Sequence, residues 1–176
     1  MESVSRYVEF STANCGVYSI ELAHLLFAAS SEVDVVAKLL CQSLDPTAPR
    51  DNIRDYRQVL NAHLPDLKCT KVFIPRFGMD FIPWDNWGAT PPRNPDWWTS
   101  YNNVKHNRDT FFQEATLKNA LNALGGLLTL TFHHYRLSLS STPGRTLSPK
   151  ETTAKLQPES TLLRLEDSWY HFHVVG

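Results

Sequence analysis

Residues 97–108, WWTSYNNVKHNR, hold the densest run of ionisable and amphipathic side chains in the chain. Asn102 and His106 stand one helical turn apart, and Trp98 and Lys105 fall on the same face. An imidazole titrates near neutral pH, an amide can orient it, and a Lys ammonium can hold an anion. Together these groups suit acid–base chemistry beside a phosphate, or phosphate binding without chemistry. The same spacing also arises on an ordinary half-buried helix, with Trp rings packed inward and polar side chains facing water.

A helix must present this ridge. Asn94-Pro95-Asp96 reads as its start: Asn as cap, Pro where no N–H is needed, Asp at the positive end of the dipole. Trp97, Tyr101 and Val104 form its apolar stripe. Asn107-Arg108-Asp109 weakens the pattern. Thr110 with Gln113 resembles a capping box, so a kink or a fresh helix start is expected there.

Helical periodicity runs from about residue 17 to 44 through Ile20, Ala23, Phe27, Val33, Val36 and Leu40, with a kink expected at Ser30-Ser31. Asp34 and Lys38 form an i,i+4 pair that reads as a solvated surface contact. Glu32 is a candidate to reach across to the His106 ridge. Asn52 can cap a short helix through about His63, ended by Pro65. Residues 71–74 and 79–82 are β-prone runs around Pro75-Arg76-Phe77-Gly78, which predicts a hairpin or two extended arms, confined to an edge or surface. The Pro-rich loop 83–95 brings Trp84 and Trp87 toward Trp97 and Trp98. Such a cluster serves as a binding surface or pins the loop to the body.

Residues 110–136 read as a long core helix, apolar around much of its circumference. Gly125-Gly126 lowers helix propensity and predicts close approach of another helix. His133, His134 and Arg136 suit the negative end of its dipole. Residues 137–160, rich in Ser, Thr and Pro, read as a loop. Residues 161–175 alternate in hairpin fashion, with His171 and His173 on one face. That pair could ligate a metal, but no third ligand has helpful spacing.

The 176 residues, 42% hydrophobic and 20% charged, fit one globular domain (1–176), with a helical core over about 17–136 and a C-terminal loop and hairpin over 137–176. A net charge of −1 gives no overall pull toward nucleic acid. Cys15, Cys41 and Cys69, scattered and odd in number, read as free thiols of a reducing compartment. The opening residues lack a signal-peptide pattern. The apolar run 115–132 carries Lys118, Asn119 and Asn122, which argues for a buried helix rather than a membrane span. A cytoplasmic protein is expected. Gly-rich phosphate loops, GxSxG and HExxH are absent.

Tyr101-Asn102-Asn103-Val104-Lys105-His106, with the leading helix LLFAASSEVDVVAKLL, resembles the HEPN superfamily over residues 17–44 and 97–136. That family's motif is an Arg, a polar residue often Asn, and a His four to six positions after the Arg. Here Tyr101 stands where the Arg should. The resemblance implies a mainly α, often dimeric helical bundle of a bacterial defence or toxin–antitoxin system. It implies RNA binding or metal-independent RNA cleavage without a cofactor. His106 would act as general acid or base, and Lys105 or Arg108 would offset phosphate charge. Asn102 would position the phosphate or the imidazole, and Tyr101 would at most donate a hydrogen bond. Tyr cannot replace a guanidinium, which favours a noncatalytic member. The alternative is a protein-interaction module presenting Trp84, Trp87 and Trp98 as an exposed apolar patch.

Overall fold

The computed structural model describes residues 1–140 and 145–170. The fold is mainly helical. Its helices are α1 (Ile20–Leu44), α2 (Ile53–His63), α3 (Asp96–His106), α4 (Arg108–Phe111), α5 (Leu117–Ser138) and α6 (Pro149–Lys155). β1 (Val72–Ile74) and β2 (Met79–Phe81) form an antiparallel pair. Among the described residues no helix is long and apolar enough to cross a membrane.

α1 begins at Ile20, later than periodicity predicts, because the Ser19 side chain accepts the Leu22 N–H at 3.2 Å. It then runs unbroken through Ser30-Ser31. Ser30 sits on the buried face, in line with Leu26, Val33 and Ala37. α1 and α5 pack extensively and run parallel. Tyr18 bridges Thr116 at their N-terminal ends, where the Leu117 N–H donates to the Val17 carbonyl at 2.8 Å. The connection between them, residues 45–116, supplies α2, the hairpin and α3.

α2 forms where its cap predicts, with Asn52 Oδ1 accepting the N–H groups of Arg54 and Asp55. The Asp34–Lys38 pair is more than a solvated contact. Tyr56 Oη, on a wholly buried residue, donates to Asp34 Oδ1 at 2.6 Å, while Lys38 Nζ holds Oδ2 at 2.6 Å. The bond ties α2 to α1. Tyr56→Phe is therefore expected to lower stability by about 1 kcal/mol in urea unfolding, since it deletes one bond to a charged acceptor that is still partly hydrated. An unchanged unfolding midpoint would refute this.

The hairpin forms as predicted, with Gly78 in the left-handed region (φ 61°) closing the turn. β2 is a partly exposed edge strand, as expected, whereas β1 is buried. Val72 and Ile74 are fully buried against α5 residues Leu117, Ala120 and Leu121. α5 thus separates two apolar clusters, one shared with β1 and the chain termini, the other with α1, α2 and the Trp-rich loop.

The helix expected over 110–136 is instead broken at its start. Asn107 is non-helical, α4 lasts one turn, and Thr116 caps α5 by accepting the Asn119 N–H. Gln113 donates to the Thr110 carbonyl, so no capping box forms at Thr110. Glu114 holds this corner by accepting from Asn103 Nδ2 at 3.0 Å.

Residues 137–160 are not loop throughout. Ser148 and Glu151 form a capping box that starts α6 behind Pro149, and α6 packs on α5. The expected C-terminal hairpin is only partly described. Its first arm pairs with β1 through Phe73 and Arg164, and a 3₁₀ turn follows at Asp167–Trp169. The second arm, with His171 and His173, lies outside the described residues.

Candidate functional site: the α3–α4 edge

α3 starts without a cap from Asn94. Pro95 occupies the cap position, and Asn86 Oδ1 from the preceding loop accepts the Asp96 N–H at 3.2 Å. The cap was invisible in the sequence because its partner lies ten residues upstream.

The four tryptophans pin this loop to the body. Trp84, Trp87, Trp97 and Trp98 are 0%, 2%, 2% and 9% exposed, so the exposed Trp patch of an interaction module does not form. Trp84 lies 4.3 Å from Trp87 and 5.3 Å from Trp97, between ring centroids. Its Nε1 donates to Thr129 Oγ1 of α5 at 2.8 Å, and Trp97 Nε1 donates to the Pro83 carbonyl. The glycine pair makes room for these rings. A Cβ on Gly126 would sit 3.0 Å from Trp97 and 3.3 Å from Trp84, and one on Gly125 would sit 2.5 Å from Phe81. The close approach expected at these glycines therefore comes mostly from aromatic rings of the hairpin and loop, with α3 contributing only Trp97.

Tyr101 is a core residue, with its ring 6.0 Å from Phe27 and 5.5 Å from Trp98. Lys105 Nζ donates to its hydroxyl at 3.2 Å and stands 5.3 Å from the ring centroid. The Asn102 amide donates back to the Trp98 carbonyl one turn earlier, at 2.8 Å. His106 is exposed at the end of α3 and hydrogen-bonds to none of the described residues. Arg108 opens α4 with its guanidinium 4.8 Å from the Phe112 ring centroid.

Lys105, His106 and Arg108 thus form one exposed edge across the α3–α4 junction, each cation braced by a ring and the imidazole free. Among the described residues none of the three makes an ion pair. The arrangement can contact an anion through donors facing water. The Asn102 amide, expected to orient His106 or the phosphate, is bonded to its own helix instead.

Glu32 does not join this edge. Phe27 meets Tyr101, and Ala23 clusters with Val104, so α1 and α3 run antiparallel. Glu32 is five residues beyond Phe27 in one direction and His106 five beyond Tyr101 in the other. Their levels therefore differ by about 15 Å along the axes at the helical rise per residue.

A polar cleft that the sequence did not announce lies beside the start of α3. It has a volume of about 400 Å³ between the hairpin and α5, where Lys71 pairs with Asp80 at 3.1 Å and Asp85, Asp96 and Lys118 face it. Among the described residues no three His, Cys, Asp or Glu side chains converge as metal ligands. The fold and site together define a mainly helical protein with a cationic helix edge. Comparison with protein-family models, with curated proteins and with solved structures finds no match to this chain.

Proposed function

We propose that this chain is an RNA-binding protein of the HEPN-like type that does not cleave its ligand. Lys105, His106 and Arg108 would contact the sugar–phosphate backbone. The observation that carries this reading is that, among the described residues, no carboxylate pairs with these three adjacent, exposed basic side chains. Unpaired surface cations of this kind gain most from phosphate, because each contact releases condensed counterions. Two features support binding over catalysis. The position of the motif Arg is filled by Tyr101, whose ring is spent in the core, and Asn102 spends its amide on its own helix. A place in bacterial defence or a toxin–antitoxin pair, and pairing as a homodimer, come with the HEPN-like reading and share its fate.

The test is fluorescence anisotropy on a single-stranded RNA oligonucleotide, with parallel cleavage assays in EDTA. Wild-type protein is expected to bind and leave the RNA intact. Lys105→Gln/Arg108→Gln is expected to weaken binding about 100-fold, at roughly 1.5 kcal/mol per charged contact. It should also flatten the slope of log affinity against log salt by about 1.4. No binding by wild type, or binding indifferent to the double substitution, would sink the proposal. Cleavage that disappears in His106→Ala would retain the RNA reading and overturn the noncatalytic part.

A further inference from the structure

At the opposite end of α1 from this edge, the C-terminal ends of α1, α2 and α5 converge around a cavity of about 340 Å³. That is room for about ten waters by their liquid volume, and near the lower end of small-ligand pockets. Leu44, Leu64, Leu67 and Leu137 supply apolar walls, and the polar lining includes His133 and Arg136 of α5.

Both groups are incompletely satisfied. His133 is 6% exposed, yet its buried Nε2 has no hydrogen-bond partner. A buried polar atom left unpaired is costly, and native structures seldom keep one without a use. The half-buried Arg136 donates from Nε to the Leu147 carbonyl at 3.0 Å, and the Leu147 N–H returns a bond to the Arg136 carbonyl. This fixes the guanidinium while its two terminal nitrogens keep no hydrogen bond among the described residues. No carboxylate pairs with it there. Burial lowers the Arg136 pKa with no opposing contribution from an acid, and burial, with a smaller contribution from the Arg136 charge, depresses His133.

We infer that this cavity binds a small aliphatic carboxylate, gripped by the terminal nitrogens of Arg136, with the His133 ring in the cavity wall beside it. A guanidinium fork matches the two oxygens of one carboxylate. The leucine walls suit a short hydrocarbon tail. Three helix C-termini and Asp66 at the rim make the surrounding field negative, so a singly charged ligand is favoured over a dianion such as phosphate.

The experiment follows the His133 Cε1–H resonance of the full chain at neutral pH during titration with 3-methylbutanoate, its neutral amide, or inorganic phosphate. The expected result is a saturable shift with the carboxylate alone. Arg136→Gln should weaken binding by about tenfold or more, and Arg136→Lys, which keeps the charge without the fork, by less. No saturable shift with the carboxylate would overturn the inference. So would an equal response to the amide, tighter binding of phosphate, or unchanged affinity in Arg136→Gln. The wild-type titrations decide the matter even if a variant fails to fold.

Discussion

Replacing Trp84 with alanine is expected to lower the unfolding free energy by about 3–5 kcal/mol, the range for large buried aromatics. Three separate losses add up. The ring is wholly buried and touches two other indoles, so its removal leaves a void where Gly126 was shaped to admit it. The Thr129 hydroxyl loses its donor inside α5. The loop that caps α3 through Asn86 loses its anchor. Against a typical domain stability of about 5–15 kcal/mol this is severe. Urea unfolding followed by far-UV circular dichroism measures it. Trp84→Phe, which keeps an aromatic ring while losing the Nε1–H and part of the indole's volume, should cost less than Trp84→Ala. A loss below about 1 kcal/mol in Trp84→Ala would mean the indole cluster is not what holds the loop and α3 to α5.

The second large effect is a loss of stability in mild acid, traced to His133. Burial, with a smaller contribution from Arg136, pushes its pKa down from 6.5 to about 4. The folded state therefore favours the neutral ring, while the unfolded chain takes up a proton near pH 6.5. The sign follows. The stabilisation is fully present above pH 6.5 and is lost as pH falls through that value toward 4. The whole window amounts to about 3 kcal/mol at 1.36 kcal/mol per unit. Carboxylates titrate at the lower end of the same window, so the comparison must be with a variant. His133→Leu fills a similar volume and cannot be protonated. The stability difference between pH 7 and pH 4.5 should be smaller in the variant than in wild type by about 2 kcal/mol. Equal pH dependence in both proteins would show that the imidazole is not held neutral by burial.

Much of the helical layout was legible because it depends on local rules. Asn52 announced α2, Gly78 the hairpin, and the stripe through Phe27 and Val33 announced α1. Where the layout was misread, a distant partner had overridden a local signal. Ser30-Ser31 looked like a second start, but α1 runs through it unbroken with Ser30 on the buried face. Thr110 and Gln113 looked like a cap, but Thr116 and the Glu114 corner start α5. α6 hid in a Ser/Thr-rich stretch although its Ser148/Glu151 capping box could have been read.

For the candidate site, sequence alone determined the residue types on the ridge and the turn-by-turn spacing that puts Asn102, Lys105 and His106 on one side of a helix, because a period of 3.6 is a local property of the backbone. Only the tertiary structure decided what those residues have left to offer. It turned Tyr101 and the Trp rings into core, placed Glu32 at a different level from His106, and left Lys105, His106 and Arg108 without a carboxylate among the described residues. It also brought His133 and Arg136 to a cavity formed by helix ends far apart in the chain. Exposure and partnership depend on which distant surfaces meet, and no spacing within one helix encodes that.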